Sequence, residues 1–352
     1  MTRIHRRFGS FGGGSNLEVP AAGGWAGVND PVAELYGIHA MTERVRSRSS
    51  SLRDAAAIWM QACRVKSLAI SSIGVMVGAA VAFDDHPYHP VRLLLAWLGA
   101  VAIQAGTNLI NVSYNYKGGS GPFQPDPRGS SAVVRAGLLS SEEVRQGGMV
   151  CFGVGIVCGL LLTWLCGWII LLIGIPAVIV GYSYAGPPLR LGYRGLGVAT
   201  VFLFMGPVMV VGSYFVMTLH ISAGAIAASV PIGLLAAGVM HTNDLRDYAS
   251  DVAHSKRTLA TLLGRTGANY ALAAMDIATY GSVAVATAAG WLPWLVLLGF
   301  VTVPVALLQV RQVFRENSAE ELNRAWFQAV QLHMQFGLCM IVGLAIRGAL
   351  RR

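Results

Sequence analysis

Nine apolar segments, each close to the length that crosses a bilayer, dominate the sequence. Their approximate limits are 67–84, 92–114, 146–165, 167–185, 196–218, 222–242, 268–288, 291–310 and 328–347. A transmembrane helix needs about 20 mainly apolar residues, and membrane helices tolerate the Gly and Pro residues that interrupt several of these segments. The sequence therefore predicts an all-α, polytopic membrane protein with about nine transmembrane helices.

The composition supports this prediction. Of the 352 residues, 54% are hydrophobic and only 12% are charged, whereas soluble domains carry about 25% charged residues. The net charge of +9 is spread over the segments between the apolar runs, so we expect a lipid bilayer and no nucleic acid as partner. The five cysteines lie in or beside apolar segments without ligand-like spacing, which favours small buried side chains over a disulfide framework or a zinc site.

The distribution of basic residues predicts the orientation in the membrane. Of the 26 Lys and Arg residues, 22 lie in the first 66 residues or in the joins 115–145, 186–195, 243–267 and 311–327. Basic segments stay on the cytoplasmic side, so the N-terminus is predicted to be cytoplasmic and, with nine spans, the C-terminus outside. We expect the membrane to be a bacterial plasma membrane. Residues 1–50 are predicted to form a disordered basic cytoplasmic tail, and residues 51–352 a single transmembrane domain.

The sixth apolar segment ends in a dense group of acids. Asn243, Asp247 and Asp251 are four residues apart, so on a helix their oxygen atoms project from one face. Oxygen ligands suit Mg²⁺, and Lys256 and Arg257, which follow, suit phosphate oxygens. The stretch predicts a dianionic ligand held by metal and by basic side chains. The alternative is a solvated acidic helix end.

The second apolar segment ends in a row of amides on the same predicted side of the membrane. Asn108, Asn111 and Asn115 share a helical face. They could join helices by hydrogen bonds or bind a ligand opposite the acids. The second interpretation is favoured because the second and sixth apolar segments both end on the same predicted face of the membrane.

Two other polar positions remain open between structural and functional interpretations. His241 is equally consistent with packing and with a place in the site. The segment 182–197, which contains Tyr184 and Arg194, has the glycines and prolines of a tight turn and the tyrosines and arginines of a polar lid.

Taken together, these motifs resemble the UbiA superfamily of intramembrane prenyltransferases, and especially its 1,4-dihydroxy-2-naphthoate polyprenyltransferase branch. The resemblance runs from residue 59 to 350 and is carried by segments 106–118, 128–139, 184–197 and 243–259. It implies a helical bundle with a cytoplasmic-side active site. There, two Asp-rich motifs would hold Mg²⁺ and a prenyl diphosphate, whose isoprenyl group is transferred to a small aromatic acceptor.

The resemblance also implies roles for individual residues. The expected metal ligands are Asn243, Asp247, Asp251, Asn111 and Asn115. The expected catalytic residues are Asp247, Asp251, Asn115, Lys117 and Tyr184. The expected substrate-binding residues are Asn108, Asn111, Tyr114, Arg128, Arg194, His241, Arg246, Lys256 and Arg257.

The sequence departs from the family pattern in the first Asp-rich motif. Asn115 and Gly121 stand where the family usually has acids, Val112 stands where it often has one, and Val198 replaces an acid of the central loop. Because Asn brings an oxygen but no charge, one Mg²⁺ site is expected and a second should be weakened or absent.

These departures keep two other functions open. One is a terpene cyclase on the same scaffold, which would convert a prenyl diphosphate without an aromatic acceptor. The other is a non-catalytic isoprenoid-binding relative, against which the intact second motif argues. A transporter is less attractive because the polar residues cluster near one membrane face and not at its midplane.

Overall fold

The computed structural model describes residues 52–85, 89–117 and 130–351, with side chains for 54–83, 89–116 and 130–351. The predicted tail at 1–50 and Arg128 lie outside these residues, as does the side chain of Lys117. The α-helices are α1 Leu52–Ala62, α2 Val65–Asp85, α3 Pro90–Lys117, α4 Ala132–Arg135, α5 Ser141–Cys166, α6 Ile169–Ser183, α7 Gly197–Leu203, α8 Met209–Thr218, α9 Ala223–Arg246, α10 Tyr248–Ala253, α11 Leu259–Ala288, α12 Val303–Arg315 and α13 Ala319–Arg351.

The predicted all-α membrane architecture is confirmed. Within the described residues, eight helical stretches are long and apolar enough to cross a membrane. Two of them are composite. A π-helical turn, Phe204–Val208, joins α7 to α8, and a 3₁₀ helix, Trp294–Thr302, leads into α12. The chain is an integral membrane protein.

The predicted fourth span, 167–185, is shorter in the structure than the sequence suggested. Its helix, α6, contains only 15 residues, about 22 Å at 1.5 Å per residue, against a hydrocarbon core of about 30 Å. The positive φ of Gly167 ends α5 and turns the chain directly into α6. At the other end the helix gives way to the turn segment 184–196, which borders the site described below.

Small residues allow α3 and α5 to pack closely. A Cβ atom on Gly106 would lie 3.0 Å from the carbonyl oxygen of Gly148 and 3.2 Å from the ring of Phe152. Because lipid supplies little hydrophobic drive for helix association, such close backbone contact is a main source of stability in membrane helix pairs. This pair forms one wall of the central cavity.

Helix α9 lies at the centre of the bundle. It packs against α2, α7, α11 and α13, and 67% of its most apolar stretch is buried, compared with 28% for α5 and α11. The more exposed helices present Leu, Ile and Val outward, as a lipid environment requires. The central position of α9 brings its C-terminal acids to the polar end of the cavity.

Candidate active site

A cavity of about 1410 Å³ lies inside the bundle. Apolar residues of α2, α3, α5, α6, α8 and α9 line most of it. Along α3 the lining extends from Leu95 to Asn111, which corresponds to about 24 Å of helix. One end is polar, and the charged and polar side chains there include Arg64, Asn108, Asn111, Tyr184, Asn243, Arg246 and Asp247. The cavity can therefore hold a long apolar chain that carries a charged head.

Asp247 lies at a bend in the chain at this polar end. Helix α9 ends at Arg246, Asp247 has φ −88° and ψ 6°, and α10 begins at Tyr248. The backbone N–H of Asp247 still donates to the Asn243 carbonyl at 3.0 Å, and that of Asp251 to the Asp247 carbonyl at 2.9 Å. The predicted four-residue spacing thus survives the bend.

Arg246 links the polar residues of α9 to one another and to α13. Its guanidinium donates to Asp247 Oδ1 at 2.8 Å and to Asn243 Oδ1 at 2.7 Å. A longer bond, 3.3 Å, reaches Asn323 Oδ1, and the ring of Trp326 lies 5.9 Å from the guanidinium carbon. The ion pair between Arg246 and Asp247 is mostly shielded from solvent. Arg246, Asp247 and Asn243 therefore form a charged, hydrogen-bonded cluster at the polar end of the cavity.

Lys256 and Asp251 form a second buried ion pair. The ammonium lies 3.1 Å from both carboxylate oxygens. Burial opposes the charge on Lys256, but the carboxylates of Asp251, Asp244 and Asp247 outweigh this effect and raise its pKa. Lys256 is therefore a permanent cation among three acids.

The amides of α3 meet the turn segment that follows α6. The side chain of Asn115 donates to Asn111 Oδ1 at 2.6 Å and accepts a hydrogen bond from the phenol of Tyr193. The turn segment also pairs with the chain after α10, where Gly195 N–H donates to the Arg257 carbonyl at 2.8 Å. The two predicted motifs are thus joined through residues 193–195.

Asn108 occupies the cavity wall but is largely committed to holding the helices together. Its amide donates to the Cys63 carbonyl at 2.9 Å and to Ser67 Oγ at 2.7 Å. These bonds fix α3 to the junction of α1 and α2. Arg64 of that junction donates to Ser130 Oγ at 2.7 Å and points to the cavity.

Sequence comparison identifies the bundle that holds this site. The pattern of the UbiA prenyltransferase family matches residues 71–334. The chain belongs to the UbiA prenyltransferase family. It is similar to 1,4-dihydroxy-2-naphthoate octaprenyltransferase of Mycobacterium tuberculosis (strain ATCC 25618 / H37Rv), with 30% identity over 83% of this chain and 96% of that protein. The same enzyme of Bacillus subtilis (strain 168) is 29% identical over 82% of this chain and 92% of that protein.

Solved structures show the same fold. A UbiA homolog from Archaeoglobus fulgidus bound to GPP and Mg²⁺ superposes with a TM-score of 0.57, at 14% identity, over 81% of this chain and 99% of that chain. Family membership makes this protein a prenyltransferase, and the predicted resemblance is confirmed.

Other predicted site residues of this UbiA-family chain lie outside the cavity lining, and these include Asn115, Asp251 and Lys256. The phenol of Tyr114 forms a 3.0 Å hydrogen bond with that of Tyr182. His241 is fully buried, and its Nε2 atom lies 2.8 Å from the Ala268 carbonyl, as expected of a packing residue. Arg194 and Arg257 are exposed beside each other on the surface. Their predicted roles in substrate binding remain predictions.

Sequence reasoning missed three residues that the structure places at the site. Arg64 reaches the cavity from the α1–α2 junction. Tyr193 lies between Asn115 and Lys256, and the ammonium of Lys256 is 5.6 Å from the centre of the Tyr193 ring. Asp244 is 1% exposed, and its Oδ1 atom has no hydrogen-bond partner among the described residues. Its spacing of three and seven residues from Asp247 and Asp251 was a usable helical signal.

Proposed function

We propose that this prenyltransferase moves an isoprenyl group from a prenyl diphosphate to a small aromatic acceptor of the naphthoate type, with Mg²⁺. The observation that carries the proposal is the continuity of a long apolar cavity with a polar end built from both predicted motifs. The named activity of the relatives supports the acceptor, and the GPP and Mg²⁺ of the Archaeoglobus fulgidus structure support the donor and the metal.

The donor atoms of the polar end fit Mg²⁺. Asn111, Asn243 and Asp247 line the cavity and offer hard oxygen ligands, and Asp251 lies one helical turn beyond Asp247, outside the lining. The buried Oδ1 of Asp244, which has no hydrogen-bond partner among the described residues, adds a further oxygen on α9. Within the described part of the chain, no three His, Cys, Asp or Glu side chains are gathered as a ready metal site. Asp247 and Asp251 are paired with Arg246 and Lys256. When bound, Mg²⁺ would neutralise the charge of the departing diphosphate.

Basic side chains at the same end are placed to bind the diphosphate. Arg64 and Arg246 both line the cavity, and both lie within electrostatic reach of Asp247. A planar guanidinium donates several N–H bonds to phosphate oxygens. Because these donors are fixed before substrate arrives, they stabilise charge that develops on the leaving group.

Tyr184 is placed to stabilise the allylic cation. It lines the cavity next to the polar end, and its phenol donates to Met240 Sδ at 3.2 Å. Burial, reinforced by the nearby Asp244, raises the pKa of this phenol above its usual value, so the group stays neutral. Its ring face can attract a cation, and the apolar walls beyond keep water from quenching it.

The proposal places the polar end on the cytoplasmic side of a bacterial plasma membrane, with the C-terminus outside. The supporting observation is the concentration of Lys and Arg in the segments that flank this end of the helices. A water-soluble diphosphate head would then meet the site from the aqueous side, while the tail lies at membrane depth.

Product analysis tests the proposal. Purified full-length protein would be incubated with prenyl diphosphates of increasing length, with and without 1,4-dihydroxy-2-naphthoate, and with and without Mg²⁺. Prenylated naphthoate and free diphosphate should appear only when all three components are present. A terpene formed from the donor alone would identify a cyclase, and no conversion under any condition would contradict catalysis.

A further inference from the structure

We propose that Asp244 is a positioning residue, an alternative counter-ion for Lys256 that frees Asp251 to act at the site. The inference rests on the proposed function, because it concerns what happens when a divalent cation engages Asp251. It assigns a role to a buried carboxylate that lies outside the predicted ligand set.

The position of Lys256 is fixed by the end of α10. Ser255 has a left-handed φ of 52°, its N–H donates to the Val252 carbonyl at 3.1 Å, and the N–H of Lys256 donates to the Asp251 carbonyl at 2.8 Å. This pair of bonds is the Schellman ending of a helix. It turns the chain back so that the Lys256 side chain reaches the acids of α9 and α10.

Asp244 stands on the same side of the helix as Asp251. Seven residues correspond to nearly two full turns, and the hydrogen bonds at Asp247 and Asp251 carry the helical course through the bend. Among charged groups, Lys256 acts most strongly on Asp244, and after Asp251 the carboxylate that acts most strongly on Lys256 is Asp244. One ammonium therefore faces two aligned carboxylates.

Only one of these carboxylates is used in the structure. Both oxygens of Asp251 bind Lys256 at 3.1 Å, whereas Oδ1 of Asp244 is buried without a hydrogen-bond partner in the described part of the chain. Leaving such an atom unpaired is costly. An unused buried oxygen within reach of a buried cation is a place for that cation to move to.

Ligand binding would be favoured by this move. While the ammonium is bonded to both oxygens of Asp251, it takes up part of their lone pairs and its positive charge repels a divalent cation. Lys256 is 15% exposed, and a buried charge without a partner is strongly unfavourable. Transfer of its hydrogen bonds to Asp244 keeps the positive charge of Lys256 paired with a carboxylate and releases Asp251. The release matters because the first motif supplies the neutral amides Asn111 and Asn115, so the negative charge for a cation must come from the second motif.

A double-mutant cycle on cation binding tests the proposal. Mn²⁺ binding to full-length protein in detergent, without substrates, would be measured by the loss of the free-Mn²⁺ electron paramagnetic resonance signal. Asp244→Asn should weaken Mn²⁺ binding about tenfold, because Lys256 then stays on Asp251. Lys256→Met should strengthen binding, and adding Asp244→Asn to Lys256→Met should change it little.

Controls separate this role from a ligand role and from damage to the fold. Asp276→Asn neutralises another buried carboxylate, which lies outside the cavity lining and has an oxygen without a hydrogen-bond partner among the described residues. This variant should leave Mn²⁺ affinity unchanged. Asp244→Ser is measured alongside, so that instability of one variant does not decide the result. An equal loss from Asp244→Asn with and without Lys256 would make Asp244 a direct ligand and overturn the proposal.

The remaining outcomes distinguish this inference from the proposed function. If the wild-type protein binds Mn²⁺ and forms product, and the Asp244→Asn variant binds Mn²⁺ with the same affinity as wild type, this inference alone is overturned. Wild-type protein that neither binds Mn²⁺ nor makes product overturns both.

Discussion

The phenol of Tyr193 donates a hydrogen bond to the side-chain oxygen of Asn115, 78 residues away in sequence. The same tyrosine ring lies 5.6 Å from the ammonium of Lys256. Tyr193 therefore links the amide end of α3 to the Asp251–Lys256 pair. Because the two motifs reach the site from opposite halves of the chain, this link fixes their relative position.

Tyr193→Phe should lower the rate of prenyl transfer while leaving the fold intact. The substitution removes one hydrogen bond, worth about 1 kcal/mol, but keeps the ring beside Lys256. We expect kcat/KM to fall about fivefold, with the midpoint of thermal unfolding nearly unchanged. Steady-state kinetics and thermal unfolding in detergent measure the two quantities.

Tyr182→Phe is the matched control. It removes the hydrogen bond between Tyr182 and Tyr114, which also joins α3 to the end of α6 but outside the cavity lining. An equal loss of activity in both variants would show that Tyr193 acts only by holding the helices together.

Asp247→Asn should nearly abolish prenyl transfer. The substitution removes the charge that faces Arg246 and the cavity but keeps the size of the side chain. Loss of this charge should reduce kcat by about 100-fold or more, as for other groups that act on charge in the transition state. Product formation is measured at saturating donor and Mg²⁺. Asp276→Asn changes a buried carboxylate outside the cavity lining and should retain nearly full activity. Similar losses in both variants would contradict a specific role for Asp247.

The architecture was predictable because apolar length is a local property of the sequence. The predicted spans match helices at every position, but α6 has only 15 residues. Hydropathy cannot separate this short helix from the apolar residues of the turns beside it. The helix stops just before Gly186, Pro187 and Pro188, a local turn signal, whereas the course of the following segment depends on contacts with residue 257, such as the bond from Gly195, which are remote in sequence.

The candidate site was predictable where the signal was helical spacing and not where it depended on tertiary contact. Asn243, Asp247 and Asn111 line the cavity as their spacing suggested, whereas Asp251 and Asn115, predicted by the same spacing, lie outside its lining. His241 carried no signal that distinguishes packing from binding, and its partner is a backbone carbonyl of α11. Arg64 and Tyr193 reach the site through a helix junction and a turn, whose geometry no periodic pattern encodes.

Gly78→Ala should destabilise the protein. A methyl group on Gly78 would strike the Val210 carbonyl and lie 2.9 Å from Ser213 Cβ, so α2 and α8 must separate. Such overpacking costs about 1–3 kcal/mol, and a drop of several degrees in the thermal midpoint should be measured in detergent. Gly174→Ala, where an added Cβ atom meets open space, should leave the midpoint unchanged, and equal effects would contradict the close approach.

Gly212→Phe should shift the enzyme toward shorter prenyl donors. Gly212 lines the cavity four residues from Val216, another lining residue, and an added Cβ atom there meets only Ile173, at 3.7 Å. A phenyl ring at this position would therefore extend into the space for the donor tail. The ratio of kcat/KM for a long donor to that for a short donor should fall at least about tenfold, since filled volume excludes substrate sharply.

The control for this steric effect is Gly153→Phe. Gly153 is exposed on α5, outside the cavity lining, with open space at its Cβ position. The Gly153→Phe substitution therefore adds the same phenyl ring on the lipid-facing side of the bundle. Competition assays with mixed donors, read by mass spectrometry, would give the ratio for both variants. If Gly212→Phe slowed all donors by the same factor, the cavity beside α8 would not hold the tail, and the donor would have to lie elsewhere in the bundle.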